Sequence, residues 1–224
     1  MRVLAIDTAL AACSAAVLDA ERGAFLASES MAMVRGHAEA LLPLVSRVMQ
    51  QGGTRFADLQ RVAVTTGPGS FTGLRVGISA ARAIALAAGR PAIGVTTLEA
   101  YAAPYAGLAA APIVAAIDAR HEHVYLQVFA ADGRALGAPR ITSLAEAVAA
   151  SAGAARVIGS GAPLIAAAWP QGRPAPMFDP QAAPDIGWVA RLGAIATESS
   201  APPKPLYLRA PDARPQDASW LARR

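Results

Sequence analysis

The sequence predicts an α/β protein made of two related lobes, each running β-β-β-α-β-α. Three observations carry this. An apolar run closed by an aspartate occurs twice, as Val3-Leu4-Ala5-Ile6-Asp7 and as Ile113-Val114-Ala115-Ala116-Ile117-Asp118. Each run is followed by a second apolar segment and a polar turn, at Asp19 to Arg22 and at Asp132-Gly133. Each half then has a strand running into a glycine turn, Arg61 to Gly67 and Arg156 to Gly161. One unit repeated in one chain implies two lobes with a cleft between them. The expected divisions are 1–104, 105–200 and an extended C-terminal segment, 201–224.

The elements follow in order. Arg2 to Asp7, Ser14 to Leu18 and Gly23 to Ser28 read as a meander of short strands. His37, Leu41, Leu44, Val45 and Val48 recur on one helical face, and Gly52-Gly53 ends that helix. Pro43 lies inside it and predicts a kink, because the Glu39 carbonyl loses its usual donor. Arg61 to Thr66 is a strand, Thr72 to Ala88 a helix, and Ala92 to Val95 a short strand before a short helix. In the second half, Val124 to Phe129 is a strand and a helix starts near Ser143. Proline density from Pro170 to Pro184 predicts a loop, and Ile186 to Thr197 a helix. Ala201-Pro202-Pro203-Lys204-Pro205 is predicted to be extended. The last dozen residues are predicted to be poorly anchored. This layout resembles the actin-like ATPase (ASKHA, RNase H-like) fold, which gives architecture and not chemistry.

Composition narrows the class. Of 224 residues, 54% are hydrophobic and 16% charged, below the usual charged share of about 25%, so the chain is globular. Net charge is +4, but apart from a loose cluster at Arg209, Arg214, Arg223 and Arg224 the arginines are scattered and Lys204 is the only lysine, so the charge is mildly permissive of RNA and no more. A single cysteine, Cys13, excludes an internal disulfide and points to a reducing compartment, the cytoplasm. Leu10-Ala11-Ala12-Cys13 imitates a lipoprotein box, but Asp7 interrupts the apolar stretch before it. No uninterrupted apolar run reaches the roughly 18 residues of a membrane span.

Candidate chemistry is sparse. The sharpest local signal is Gly67-Pro68-Gly69-Ser70-Phe71-Thr72-Gly73-Leu74-Arg75, where glycines permit close backbone approach and Ser70 or Thr72 can cap a helix. The phosphate-loop spacing is absent, and Gly67, Gly69 and Gly73 miss the dinucleotide spacing at the second gap. Asp7, Thr8, Gly67, Gly69, Ser70 and Asp118 are the expected cleft residues. Gly73, Gly77, Ala81, Ala85 and Gly89 recur every four residues, a small-residue face for a close helix contact. His37, Leu41, Leu44, Val45 and Val48, with Gly73, Leu74, Gly77, Ile78 and Ala81, are therefore the expected partner interface. His121-Glu122-His123 offers two imidazoles on one side of a strand without a third ligand, so no metal site is expected. No G-x-S-x-G elbow exists for a serine hydrolase.

Val3 to Thr8 with Ala12-Cys13-Ser14, His37-Ala38-Glu39 before Leu41-Leu42-Pro43, the nonapeptide Gly67 to Arg75, Gly94 to Ala100, Ile117 to Arg120 with Val124-Tyr125, and Tyr207-Leu208-Arg209 together resemble the TsaB (YeaZ) family. They occur in that family's order over nearly the whole chain, with 131–202 matching loosely. The resemblance implies a non-catalytic subunit needed to place threonylcarbamoyl on N6 of the tRNA adenosine beside the anticodon. It implies a TsaD-type catalytic partner, a TsaE-type ATPase, tRNA contacted through the complex, and a homodimer when the chain is alone. The catalytic subunit's histidine pair is not matched here beyond His37, so no catalytic residue and no tightly bound cofactor are expected, with ATP placed at the TsaD interface. A stand-alone actin-like ATPase or kinase, or a glycoprotease-type metallopeptidase, are the alternative readings.

Overall fold

The computed structural model describes residues 1–108, 110–199 and 201–209. In the first half β1 (Arg2–Asp7), β2 (Ala12–Asp19) and β3 (Ala24–Ala32) form an antiparallel meander. Helix α1 (His37–Gln51), β4 (Arg61–Gly67), α2 (Phe71–Ala88), β5 (Ala92–Thr96) and α3 (Thr97–Ala102) follow. The sheet order is β3-β2-β1-β4-β5, with β4 parallel to β1 and β5 parallel to β4. The second half repeats this with β6 (Ile113–Asp118), β7 (His123–Phe129), β8 (Arg140–Ser143), α4 (Leu144–Ala150), β9 (Arg156–Ile158), α5 (Ala162–Ala167) and β10 (Met177–Asp179). Its sheet order is β10-β9-β6-β7-β8, the same arrangement with β6 in the place of β1. Helix α6 (Ile186–Ile195) comes last. The fold is the actin-like α/β architecture.

The first sheet is covered on both faces, which is why β1 reads as a continuous apolar run. One face sends Leu4, Ile6, Ala15 and Val17 into a core with Val62, Val64 and the inner sides of α1 and α2. The other sends Val3, Ala5, Ala16 and Leu18 against Val189 and Ala190 of α6.

Three sequence expectations change. Helix α6, within the stretch assigned to the second lobe, packs on the first sheet. Arg61 fixes its end by donating to the carbonyls of Gly193, Ala194 and Ala196 at 3.1, 2.9 and 2.7 Å. The proline-rich stretch expected to be a loop contains β10, an edge strand of three residues, short enough to sit between prolines. The proposed interface residues Leu41, Leu44, Val45 and Val48 are no more than 1% exposed, because α1 turns that stripe onto β2 and β3. Leu74, Ile78 and Ala81 lie in the same core, with Gly73 and Gly77 against Thr8. Helix α1 continues through Pro43. The expectation about the last dozen residues falls outside the described residues.

By length and a mean hydropathy of 1.3, α2 also passes for a membrane-crossing segment. It packs against β4, and Arg75 and Arg82 stand on its exposed side.

Candidate functional site

A cleft of about 450 Å³ opens between the C-terminal ends of β1 and β6. The first lobe contributes Ala9, Leu10 and Ala11 from the turn after β1, Val34, His37, and Gly69 and Ser70 ahead of α2. The second contributes Asp118, Ala119 and Arg120 from the turn after β6, Tyr125, and Ser160 after β9, with Ala182 beyond β10.

The glycines of the nonapeptide are there because the β1 turn comes so close. Ser70 N–H donates to the Ala9 carbonyl at 2.7 Å, and a Cβ on Gly69 would overlap that same oxygen. A Cβ on Gly73 would overlap the Thr8 carbonyl oxygen, and one on Gly77 the Thr8 hydroxyl. Thr8 Oγ1 in turn donates to the Gly73 carbonyl at 2.7 Å. Ser70 caps α2 by accepting from Gly73 N–H at 3.3 Å. The small-residue stripe thus seats α2 on its own lobe.

Asp7 has the same role. It is 0% exposed. Its Oδ1 accepts from Ala9 N–H at 2.9 Å and from the Thr65 hydroxyl at 2.5 Å, joining β1 to β4. Its Oδ2 is buried with no partner. Burial pushes its pKa above the ordinary carboxylate value, and the bonds from Thr65 and Ala9 oppose this in part. A carboxyl so placed fastens two strands. Asp7, Thr8 and Gly67 are therefore not among the residues lining the cleft, while Gly69, Ser70 and Asp118 are.

Asp118 differs. Its side chain is 33% exposed. Its Oδ1 accepts from Arg120 N–H at 2.7 Å, and its own N–H donates to Ser160 Oγ at 3.2 Å. The turn it anchors is strained: Arg120, His121 and Glu122 have φ of 66°, 51° and 60°. The left-handed region costs a non-glycine residue roughly 1–2 kcal/mol, so three in succession persist only where the surroundings hold them. Ala119 N–H to the His123 carbonyl (3.0 Å), His123 N–H to the Arg120 carbonyl (3.1 Å) and Leu144 N–H to the Glu122 carbonyl (3.2 Å) do so.

Sequence reasoning placed His121 and His123 on one strand face. Only His123 belongs to β7, and its Nδ1 lies 2.6 Å from the His121 carbonyl. Among the described residues no three His, Cys, Asp or Glu side chains group as metal ligands. His37, expected at the partner surface, instead borders the cleft with Nε2 3.0 Å from the Leu10 carbonyl. Burial pushes the Cys13 thiol up to about 11, so it behaves as a small core side chain. Among the described residues the cleft thus offers the Asp118 carboxylate, the Arg120 guanidinium, the His37 imidazole and the hydroxyls of Ser70, Ser160 and Tyr125. The signal for Ser160 was present in the repeated strand-to-glycine turn, and Tyr125 stands in one of the motifs quoted above; Val34 and Ala182 carry no local signal.

A family model described as "TsaD: tRNA N6-adenosine threonylcarbamoyltransferase" matches residues 31–185. The chain is 42% identical over 126 residues to the tRNA threonylcarbamoyladenosine biosynthesis protein TsaB of Escherichia coli K12, covering 56% of this chain. The match spans about half of that relative, 53% of its length. An uncharacterized protein of Mycobacterium tuberculosis H37Rv is 34% identical over 95% of this chain and 94% of its own. The solved structure of YeaZ from Pseudomonas aeruginosa superposes with a TM-score of 0.74 at 27% identity, covering 92% of this chain and 99% of that one. The chain belongs to the family of that model, on its TsaB (YeaZ) branch.

Proposed function

We propose that this chain is a non-catalytic subunit that acts in the cytoplasm with a TsaD-type catalytic chain and a TsaE-type ATPase. Together they place threonylcarbamoyl on N6 of the tRNA adenosine beside the anticodon, with ATP bound where this chain meets TsaD. The observation that carries the non-catalytic reading is Asp7. The acid at the end of β1 is fully buried and bonded to Thr65 and Ala9, leaving Asp118 as the one carboxylate of the cleft wall among the described residues.

The docking face follows from which sides of α1 and α2 remain outside. Leu42 on α1 is 59% and Leu86 on α2 84% exposed, and Arg82 is exposed four residues before Leu86. The family model spans both helices, so a TsaD-type chain owns counterparts and two helix pairs can meet. Without the partner, two copies of this chain pair through the same face, and tRNA is contacted through the assembly.

Reconstitution tests the reading. The chain is incubated with tRNA, the threonylcarbamoyl adenylate, ATP and the TsaE-type ATPase, with and without the TsaD-type subunit. Modified adenosine is expected only when the TsaD-type subunit is present, and its appearance without that subunit overturns the proposal. Leu42→Asp with Leu86→Asp should weaken TsaD binding at least about tenfold, equivalent to about 1.4 kcal/mol, while the melting temperature stays unchanged.

A further inference from the structure

Tyr207-Leu208-Arg209 has no part in the chemistry above, yet the chain leading to it makes a continuous series of contacts. Pro203 is buried against Gly94 of β5, where a Cβ would lie 3.2 Å from the proline Cβ. Leu206 N–H donates to the Thr66 carbonyl at 2.7 Å, at the end of β4. The Tyr207 ring stacks on Phe71 at 5.3 Å, and its hydroxyl accepts from Arg75 Nε at 3.0 Å. The Arg75 guanidinium lies 3.8 Å above the Phe71 ring. All these partners belong to the first lobe. Two residues later the chain reaches the second: Arg209 Nη1 donates to the Ala119 carbonyl at 3.3 Å.

We infer that residues 203–209 form a strap that ties the two lobes together across the cleft and holds the strained turn after β6 in its shape. Two placements carry this. Phe71 and Arg75 open α2 directly after Ser70, so the aromatic anchor sits on one rim of the cleft. Ala119 lines the opposite rim and immediately precedes the three left-handed residues. A bond to its carbonyl fixes the entry to the turn and adds to the three backbone bonds that already hold it. The nearest anchors on the first lobe, Thr66 and Phe71, limit how far Arg209 can travel, so separating the rims strains the Ala119 bond. The inference needs neither the partner nor the reaction proposed above.

Hydrogen exchange on the full chain tests it, comparing the unaltered protein with Arg209→Met and Tyr207→Ala. Arg209→Met removes the donor and keeps the length; Tyr207→Ala removes the anchor. Amides of residues 118–124 should exchange about three- to tenfold faster in both variants, the range set by one net hydrogen bond. Amides of β1 and β6 should keep their protection. Unchanged exchange at 118–124 in Arg209→Met overturns the strap, as does acceleration confined to residues 66–75, which reduces the segment to packing on the first lobe. If Tyr207→Ala loosens the whole fold, Arg209→Met alone decides, because it leaves the aromatic anchor intact.

Discussion

Asp7 and Asp118 close equivalent strands, β1 and β6, in two lobes of the same topology, yet their surroundings assign them different work. Asp7 is sealed between β1 and β4, and the turn that follows it, Thr8 to Ala11, contains no left-handed residue. Asp118 stays on the cleft wall and organises a turn in which three non-glycine residues are left-handed. The helices differ in the same way. In the first lobe α1 and α2 run 15 and 18 residues and clamp their sheet; their counterparts α4 and α5 run 7 and 6. One copy covers its sheet with two long helices, and the other presents a strained turn to the same cleft. In a duplicated fold, shared position does not preserve shared chemistry.

The largest expected effect lies where the first lobe is tightest. Gly77→Ala puts a methyl group into the Thr8 hydroxyl, and Gly73→Ala into the Thr8 carbonyl. Overpacking of this kind costs about 1–3 kcal/mol, which in a chain of this size lowers the melting temperature by about 2–12 °C. Thermal unfolding measures it. Gly77→Leu should fail to fold. A Gly77→Leu chain that folds normally and loses only TsaD binding would return this stripe to the partner surface and undo the contrast between the lobes.

Much of this was legible in the sequence, and what was not has identifiable causes. The paired β-β-β-α-β-α units were visible because each central strand is a buried apolar run ended by an aspartate, a pattern that survives duplication. The apolar stripe of α1 announced burial but not what would bury it: Leu41 to Val48 face their own sheet, as the stripe of any amphipathic helix does by default. The glycines of α2 announced close approach without naming Thr8 as the neighbour. Helix α6 was seen, but nothing in an apolar helix states which of two sheets it covers. The turn at Arg120-His121-Glu122 was missed because left-handed backbone is ordinarily signalled by glycine or asparagine, and these residues are neither. The cleft was therefore half visible, through Gly69, Ser70 and Asp118, while Val34 and Ala182 reach it from segments outside the motifs.

The sealed position of Asp7 has a consequence for stability against pH. Burial raises the Asp7 pKa, so the folded chain holds this proton more tightly than the unfolded chain does. The stability from this group is complete below the unfolded value and is lost as pH rises through the folded one. Denaturant unfolding of the unaltered chain should therefore show stability falling from pH 4 upward by way of this group. Asp7→Asn keeps the Oδ1 acceptor for Ala9 and Thr65 and cannot ionise, so it should flatten that slope. Equal slopes in the two proteins would show that Asp7 is not the buried proton holder.

The smallest expected effect tests the turns themselves, and its sign matters more than its size. At His121, with φ of 51°, a glycine adopts the left-handed region without the Cβ clash, whereas alanine keeps it. His121→Gly should therefore be more stable than His121→Ala by up to about 1 kcal/mol, the left-handed cost less glycine's greater freedom in the unfolded chain. At Ala11, in the equivalent turn of the first lobe, φ is not positive. There Ala11→Gly should lower stability by about 0.4–1 kcal/mol, because only the unfolded-chain entropy changes. Urea unfolding of these variants resolves differences of this size when the transitions share one slope. Opposite signs at the two positions mean that strain is confined to the second lobe's turn. The same sign at both would mean that the Arg120-His121-Glu122 backbone relaxes in solution and that the cleft wall is less strained than its φ angles require.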